Sequence, residues 1–394
     1  MLARLRHCGG MTTHHSSPSV LRGAAQLLAG VPYLLNYRPE RSLVLVGSLV
    51  DRARLGRQDK LQLPVTMMLR VDLPAAEDVA ALVDQLASPV RLAVRERGAG
   101  LLDPLLLLHL FLYDADDDLA QALVPAAQER LRAEGAEVHA ALLTRDGAYR
   151  SLMPEGPPRD EAAGAAVDAS PEGDPEHRVP AVWTPLPDPS GVPAVADLVL
   201  QGRNPARSRA DVAATVRTRD ERAAARTGLS IAVQDLDDLG PDPLPALETL
   251  GRIVRGEVAP TPHDRAVVAM SLADRWVRDL VLGHWLPDVF TLQGLELDAY
   301  DRRLMRSLGA LPDDPSDGLH RLFRLSGAVP VDWSAPLLTL AGCLAWRHGE
   351  GTVANEAVDL ALEADPDYRM AQLMRHALSH GVPPWAVRRR AEAA

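Results

Sequence analysis

Lysine is all but missing from this 394-residue chain: Lys60 is the only one among 42 basic residues. It stands outside any glycine-rich loop, which excludes a Walker A nucleotide site, a kinase-type lysine and most Schiff-base chemistry. Cysteine is nearly as scarce. Cys8 and Cys343 cannot supply a zinc site of three or four thiolates or a disulfide framework, and they fit a reducing cytoplasm. No GxGxxG follows an apolar strand pattern and no GxSxG precedes a helical one, so dinucleotide oxidoreductases and serine hydrolases lose their usual support. Membrane-length apolar runs are lacking as well. The most apolar stretch, Leu101 to Tyr113, is far too short to span and contains Asp103, Pro104 and His109. The opening MLARLRHCGG is charged without the apolar core of a signal peptide, and Met11 is a second candidate start.

Isoleucine occurs only at Ile231 and Ile253 and asparagine only at Asn36, Asn204 and Asn355. GC-rich codons explain that bias, and with it the excess of arginine. The net charge is −11, with a basic first segment, a strongly acidic middle from residue 61 to 200, and a mildly acidic remainder. Such a surface repels nucleic-acid backbone, and any contact of that kind is confined to the basic start or to Arg388, Arg389 and Arg390.

Length and 47% hydrophobic content favour two folded units. Residues 1–18 read as a disordered start and 19–153 as a three-layer α/β domain. A Pro/Gly/acidic linker or insertion covers 154–193, and a helical domain fills 194–394. In the α/β part, Ser19 to Leu28 has helical spacing, ended by Pro32. Leu43 to Val46, with Leu49, is an apolar run of strand length, the pattern of a strand covered on both faces. Leu61 to Leu73 follows as a strand, and Pro74 opens a helix with Glu77 and Asp78 in its first turn. Leu105 to Tyr113, Leu119 to Leu131 and Val138 to Thr144 continue as strand, helix and strand. Asp146-Gly147 is a tight-turn signal into a short strand at Tyr149 to Leu152. This alternation predicts a mostly parallel sheet with an antiparallel edge hairpin. In the linker only Val179 to Trp183 carries enough apolar character to fold back.

Beyond Gly191 the pattern is helical. From Ala335 to Met374 the large, small, Gly and Pro positions fall close to those of a tetratricopeptide unit, which predicts a TPR-like helical hairpin inside a bundle. Five of the six tryptophans lie in this half, consistent with a groove for another protein.

The segment VPYLLNYRPERSLVLVG at 31–47, the RVDLP at 70–74 and the ADRWVRD at 273–279 resemble the signature of domain-of-unknown-function family 4192, a family of high-GC bacteria. The resemblance implies no activity and assigns no role to Pro32, Pro39, Glu40, Ser42 or Gly47. Members often carry a cysteine-rich segment near the linker. None is present here, so no metal site follows from the family.

Two clusters remain as candidates for chemistry. Arg38, Glu40, Arg41 and Ser42 form a charged corner ahead of the first buried strand, and Arg70 lies near a strand end beside Asp72; together they suit a small anionic or polar ligand. The simpler role is a helix-to-strand connection held by local pairs. Asp114, Asp116 and Asp117 follow the third strand at its carboxyl end, where parallel sheets place ligands. Grouped carboxylates there suit Mg²⁺, while Asp116 also suits a helix cap. His109 inside an apolar strand reads as a core residue. The first expectation is therefore a cytoplasmic accessory or regulatory protein without catalysis or cofactor, sensing a small ligand in its α/β domain and contacting another protein through its helical domain. The second is a metal-assisted hydrolase or phosphotransfer enzyme built on the three aspartates.

Overall fold

The computed structural model describes residues 2–4, 20–52, 62–153, 182–200, 202–234, 242–292, 294–384 and 387. Most of the expected disordered start, most of the linker and Arg388 to Arg390 lie outside them. The chain divides into two compact units at Pro205/Ala206.

In the first unit, β1 (Leu2–Arg4), β2 (Val20–Arg22) and β4 (Gln62–Pro64) form a small sheet. The main sheet has six strands in the order β5-β3-β6-β7-β8-β9. They are β3 (Ser42–Asp51), β5 (Met67–Asp72), β6 (Pro104–Tyr113), β7 (Ala136–Arg145), β8 (Ala148–Ser151) and β9 (Thr184–Pro185). Helices α2 (Val79–Arg97) and α3 (Asp117–Arg132) cover one face, and α1 (Gly23–Leu35) and α4 (Pro193–Leu200) cover the other. The reason lies in β3. Leu43 and Leu45 pack into the core beneath α2 and α3, Val44 and Val46 into the core beneath α1, and all four are essentially fully buried.

Four expectations are corrected. The main sheet is mixed, and among its described strands only β6 and β7 pair in parallel. A parallel neighbour needs a crossover of a dozen or more residues, usually helical, and the sequence between β3 and β5 carries no helical apolar period. Leu61 to Leu73 is not one strand, because the chain turns at Thr66, whose amide donates to the Gly47 carbonyl at 2.7 Å. Pro64 ends β4 there. Pro32 does not end the first helix, which continues to Leu35 while Leu27, Leu28 and Val31 are buried on the sheet; burial outweighs the lost hydrogen bond. Finally, α4 belongs to the first unit, not the helical one, and Thr184–Pro185 from the predicted linker is an ordered edge strand. The Asp146-Gly147 turn is found as expected, both residues at positive φ (51° and 75°), as a two-residue hairpin demands.

The second unit is helical: α5 (Arg209–Val216), α6 (Glu221–Gln234), α7 (Pro243–Arg255), α8 (Pro262–Ala273), α9 (Arg275–Trp285), α10 (Ala299–Leu308), α11 (Pro315–Ser326), α12 (Ala335–Arg347), α13 (Gly351–Ala364) and α14 (Arg369–Ser379). One continuous core joins all of them except α6, which packs on α8. Helices α12 and α13 form the hairpin whose close approach the small residues permit: a Cβ at Gly342 would lie 3.2 Å from Val358 and 3.5 Å from Ala357. In the ADRWVRD stretch, Asp274 caps α9 and Arg278 pairs with Asp279 at 2.6 Å, both structural tasks.

His109 is a buried core residue on β6, 5% exposed, with its ring 5.5 Å from that of His139 and no hydrogen-bond partner for Nδ1 among the described residues. Desolvation, then the neighbouring His139, lower its pKa from 6.5 to about 4 against a backbone hydrogen bond with Val46. The unfolded chain takes up this proton first. Stability is therefore complete above pH 6.5 and falls as the pH drops towards 4, by up to about 3 kcal/mol. Urea unfolding across that window should show the decline, and His109→Leu should flatten it.

Candidate functional site

The carboxyl ends of β5, β6 and β7 meet the start of β3 at one end of the sheet. Ser42 lies opposite both Asp72 and Tyr113, and Tyr113 lies opposite Thr144. Residues directly opposite share a face, so Ser42, Asp72, Tyr113 and Thr144 form a polar row on the side covered by α1. Arg70, two residues before Asp72, joins that row.

Local geometry fixes most of these groups. Ser42, fully buried, donates its hydroxyl to the Glu40 carbonyl at 2.5 Å and accepts from Arg70 Nε at 2.9 Å. Arg70 Nη2 pairs with Asp72 at 2.5 Å, and its side chain is only 12% exposed. Arg41 holds a left-handed backbone (φ 39°), as does Asp114 (φ 56°), and the Arg41 amide faces Asp114 Oδ2 at 3.4 Å. Strained positions of this kind concentrate at functional sites and cost about 1–3 kcal/mol each. Arg38, Glu40 and Arg41 are exposed. The structure thus brings Arg38, Glu40, Arg41, Ser42 and Arg70 to one edge, with only Ser42 and Arg70 in its interior.

Two groups that sequence reasoning missed complete the edge. The Tyr113 hydroxyl is buried without a hydrogen-bond partner among the described residues, and burial, reinforced by Asp114, pushes its pKa far up, so it stays protonated. On the opposite face, Arg150 pairs with Asp117 at 2.8 Å, Arg145 approaches it at 3.4 Å, and both guanidinium groups lie over Trp183, at 5.1 and 5.8 Å from the ring centre. A tyrosine closing an apolar strand looks like core, and nothing in the spacing ties Trp183 to arginines more than thirty residues earlier.

The three aspartates do not converge. Asp116 caps α3 by accepting from the Leu119 amide at 2.7 Å, Asp117 is taken by the two arginines, and Asp114 turns to the Arg41 amide. Among the described residues no group of three His, Cys, Asp or Glu side chains is arranged to hold a metal ion. The Mg²⁺ arrangement expected of Asp114, Asp116 and Asp117 gains no support from this geometry, in which the carboxylates serve a helix cap, an ion pair and a backbone amide.

The layout defines a two-part protein, a mixed-sheet α/β unit with a polar edge followed by a helical unit. The chain belongs to the family described as Domain of unknown function (DUF4192), whose model matches residues 25–385. No curated protein and no solved structure matches it. No helix among the described residues is long and apolar enough to cross a membrane.

Removing the cap by Asp116→Ala is expected to cost about 1 kcal/mol, visible as a lower Tm. Mg²⁺ should leave the Tm of both proteins unchanged, since the carboxylate acts on the helix and not on a metal.

Proposed function

We propose that the protein is a non-catalytic cytoplasmic accessory or regulatory factor whose α/β unit binds a small anionic ligand at this edge and whose helical unit contacts another protein. One observation carries the ligand reading. Arg38 and Arg41 are exposed at the mouth of the edge without an ion-pair partner among the described residues, whereas the other arginines there, Arg70, Arg145 and Arg150, each have an aspartate. Unpaired guanidinium groups beside a strained loop suit an incoming carboxylate or phosphate.

The partner reading is supported by the hairpin of α12 and α13, whose spacing is TPR-like, and by a cleft of about 260 Å³ against it. Val216, Leu338 and Leu360 provide apolar lining, and Arg217, Arg219 and Glu363 provide charge. That volume falls below the usual range for small-molecule pockets and suits an anchoring side chain of a peptide. The scarcity of cysteine supports the cytoplasmic setting.

A thermal-shift screen of phosphate, nucleotides and sugar phosphates tests the ligand reading. Phosphate should raise the Tm relative to chloride at equal ionic strength, and Arg38→Gln with Arg41→Gln should abolish the shift while leaving the Tm without ligand nearly unchanged. A full shift in the double variant would remove this edge from consideration.

A further inference from the structure

We propose that the ligand's oxyanion, a phosphate or carboxylate, sits over Ser42 between the Arg70 guanidinium and the Tyr113 hydroxyl, on the α1-covered face of the sheet. This rests on the edge being a ligand site, and adds which groups grip the anion and on which face.

Ser42 lies on β3 with β5 on one side and β6 on the other. Ser42 lies opposite Asp72 on β5 and Tyr113 on β6, and Arg70, opposite Val44, is two residues back along β5 on the same face. Neighbouring strands are about 4.8 Å apart, so β5 and β6 lie about 10 Å apart across β3. The side chains of Arg70 and Tyr113 are both long enough to reach into that gap. Arg70 does so already, since its Nε donates to Ser42 Oγ at 2.9 Å and its Nη2 is held by Asp72 at 2.5 Å. This two-point hold orients the guanidinium and leaves Nη1 with no hydrogen bond among the described residues. Ser42 offers no further proton, because its own goes to the Glu40 carbonyl.

Tyr113 presents the complementary need. Its side chain belongs to the core formed with Leu27, Leu28 and Val31 of α1 and with Val44 and Phe111 of the sheet, and its hydroxyl meets no acceptor there. A buried hydroxyl in this state is destabilising until an acceptor arrives. A neutral phenol and a guanidinium are both hydrogen-bond donors, so the group that satisfies the pair is acceptor-only, as an oxyanion is. Asp72, Asp114 and Glu40 are the acids near this row. Asp72 is paired with Arg70, and Asp114, at the Arg41 amide, and Glu40 are exposed, so a cationic ligand would gain no unpaired buried carboxylate among the described residues.

The experiment compares Tyr113→Phe with the unaltered full-length protein, in phosphate and in chloride at equal ionic strength. Without phosphate, Tyr113→Phe should melt at the same temperature or higher, since it deletes an unsatisfied buried group. Its affinity for phosphate should fall about tenfold, the loss expected for one hydrogen bond to a charged acceptor. Unchanged affinity in Tyr113→Phe, with the shift still abolished by Arg38→Gln and Arg41→Gln, would overturn this placement and leave the edge reading intact. No phosphate-dependent shift in the unaltered protein would overturn both. If Tyr113→Phe fails to fold, Arg70→Met serves in its place: loss of the shift supports the placement, and full retention overturns it.

Discussion

Burying β3 on both faces is the constraint from which the rest of the α/β unit follows. A strand with Leu43 and Leu45 on one side and Val44 and Val46 on the other cannot lie at a surface. It requires helices above and below and a strand on each flank. Helices α2 and α3 form one cover and are locked together by Glu134, which accepts from Arg91 at 2.5 Å and Arg130 at 2.6 Å. Those two arginines hold the Glu134 carboxyl at about 2, well below the usual range. Helices α1 and α4 form the other cover. Because the apolar run begins at Leu43, just after Ser42 opens the strand, the charged corner before it is forced to the sheet's end, and the polar edge is a by-product of where hydrophobic burial stops.

Much of this frame was legible in the sequence, because continuous apolar runs and turn chemistry are local signals. The strands at Leu43 and Leu105, the Asp146-Gly147 hairpin and the Asp116 cap all come from residue types whose physics acts within a few positions. Strand direction was not legible. Composition tells a strand that it is buried, but whether its neighbour is parallel depends on what joins them, and the sequence between β3 and β5 carries no helical apolar period. Pro32 misled for the opposite reason: a local rule predicted a stop, and tertiary burial of Leu28 and Val31 overrode it.

The candidate site was legible in the same uneven way. Arg38, Glu40, Arg41, Ser42 and Arg70 were marked by charge next to an apolar run, and the fold brings them to one edge. Tyr113 was hidden because only its register opposite Ser42, not its sequence neighbours, places it in a polar row. The aspartates failed as a cluster for a related reason. Adjacent residues on a loop leading into a helix point in different directions, so closeness in sequence did not produce a shared focus. The helical unit repeats the lesson, since Arg265 is 8% exposed yet bonds to Thr227 Oγ1 and the Pro260 carbonyl, a role no motif announces.

The two faces of the edge differ in one electrostatic respect that decides which of them is available to an anion. On the α3 side, Asp117 already serves as the anion for Arg145 and Arg150, and Asp116 and Asp118 add negative charge at the helix start. An incoming oxyanion would have to displace a tethered carboxylate and face two more. On the α1 side, Arg70 keeps one aspartate and a buried hydroxyl has a proton to give, while at the mouth of the edge Arg38 and Arg41 have no ion-pair partner among the described residues. The same sheet therefore presents a satisfied face and an unsatisfied one. Unsatisfied donors in a buried row are costly in the free protein, and a ligand that removes that cost gains affinity from groups already held in place.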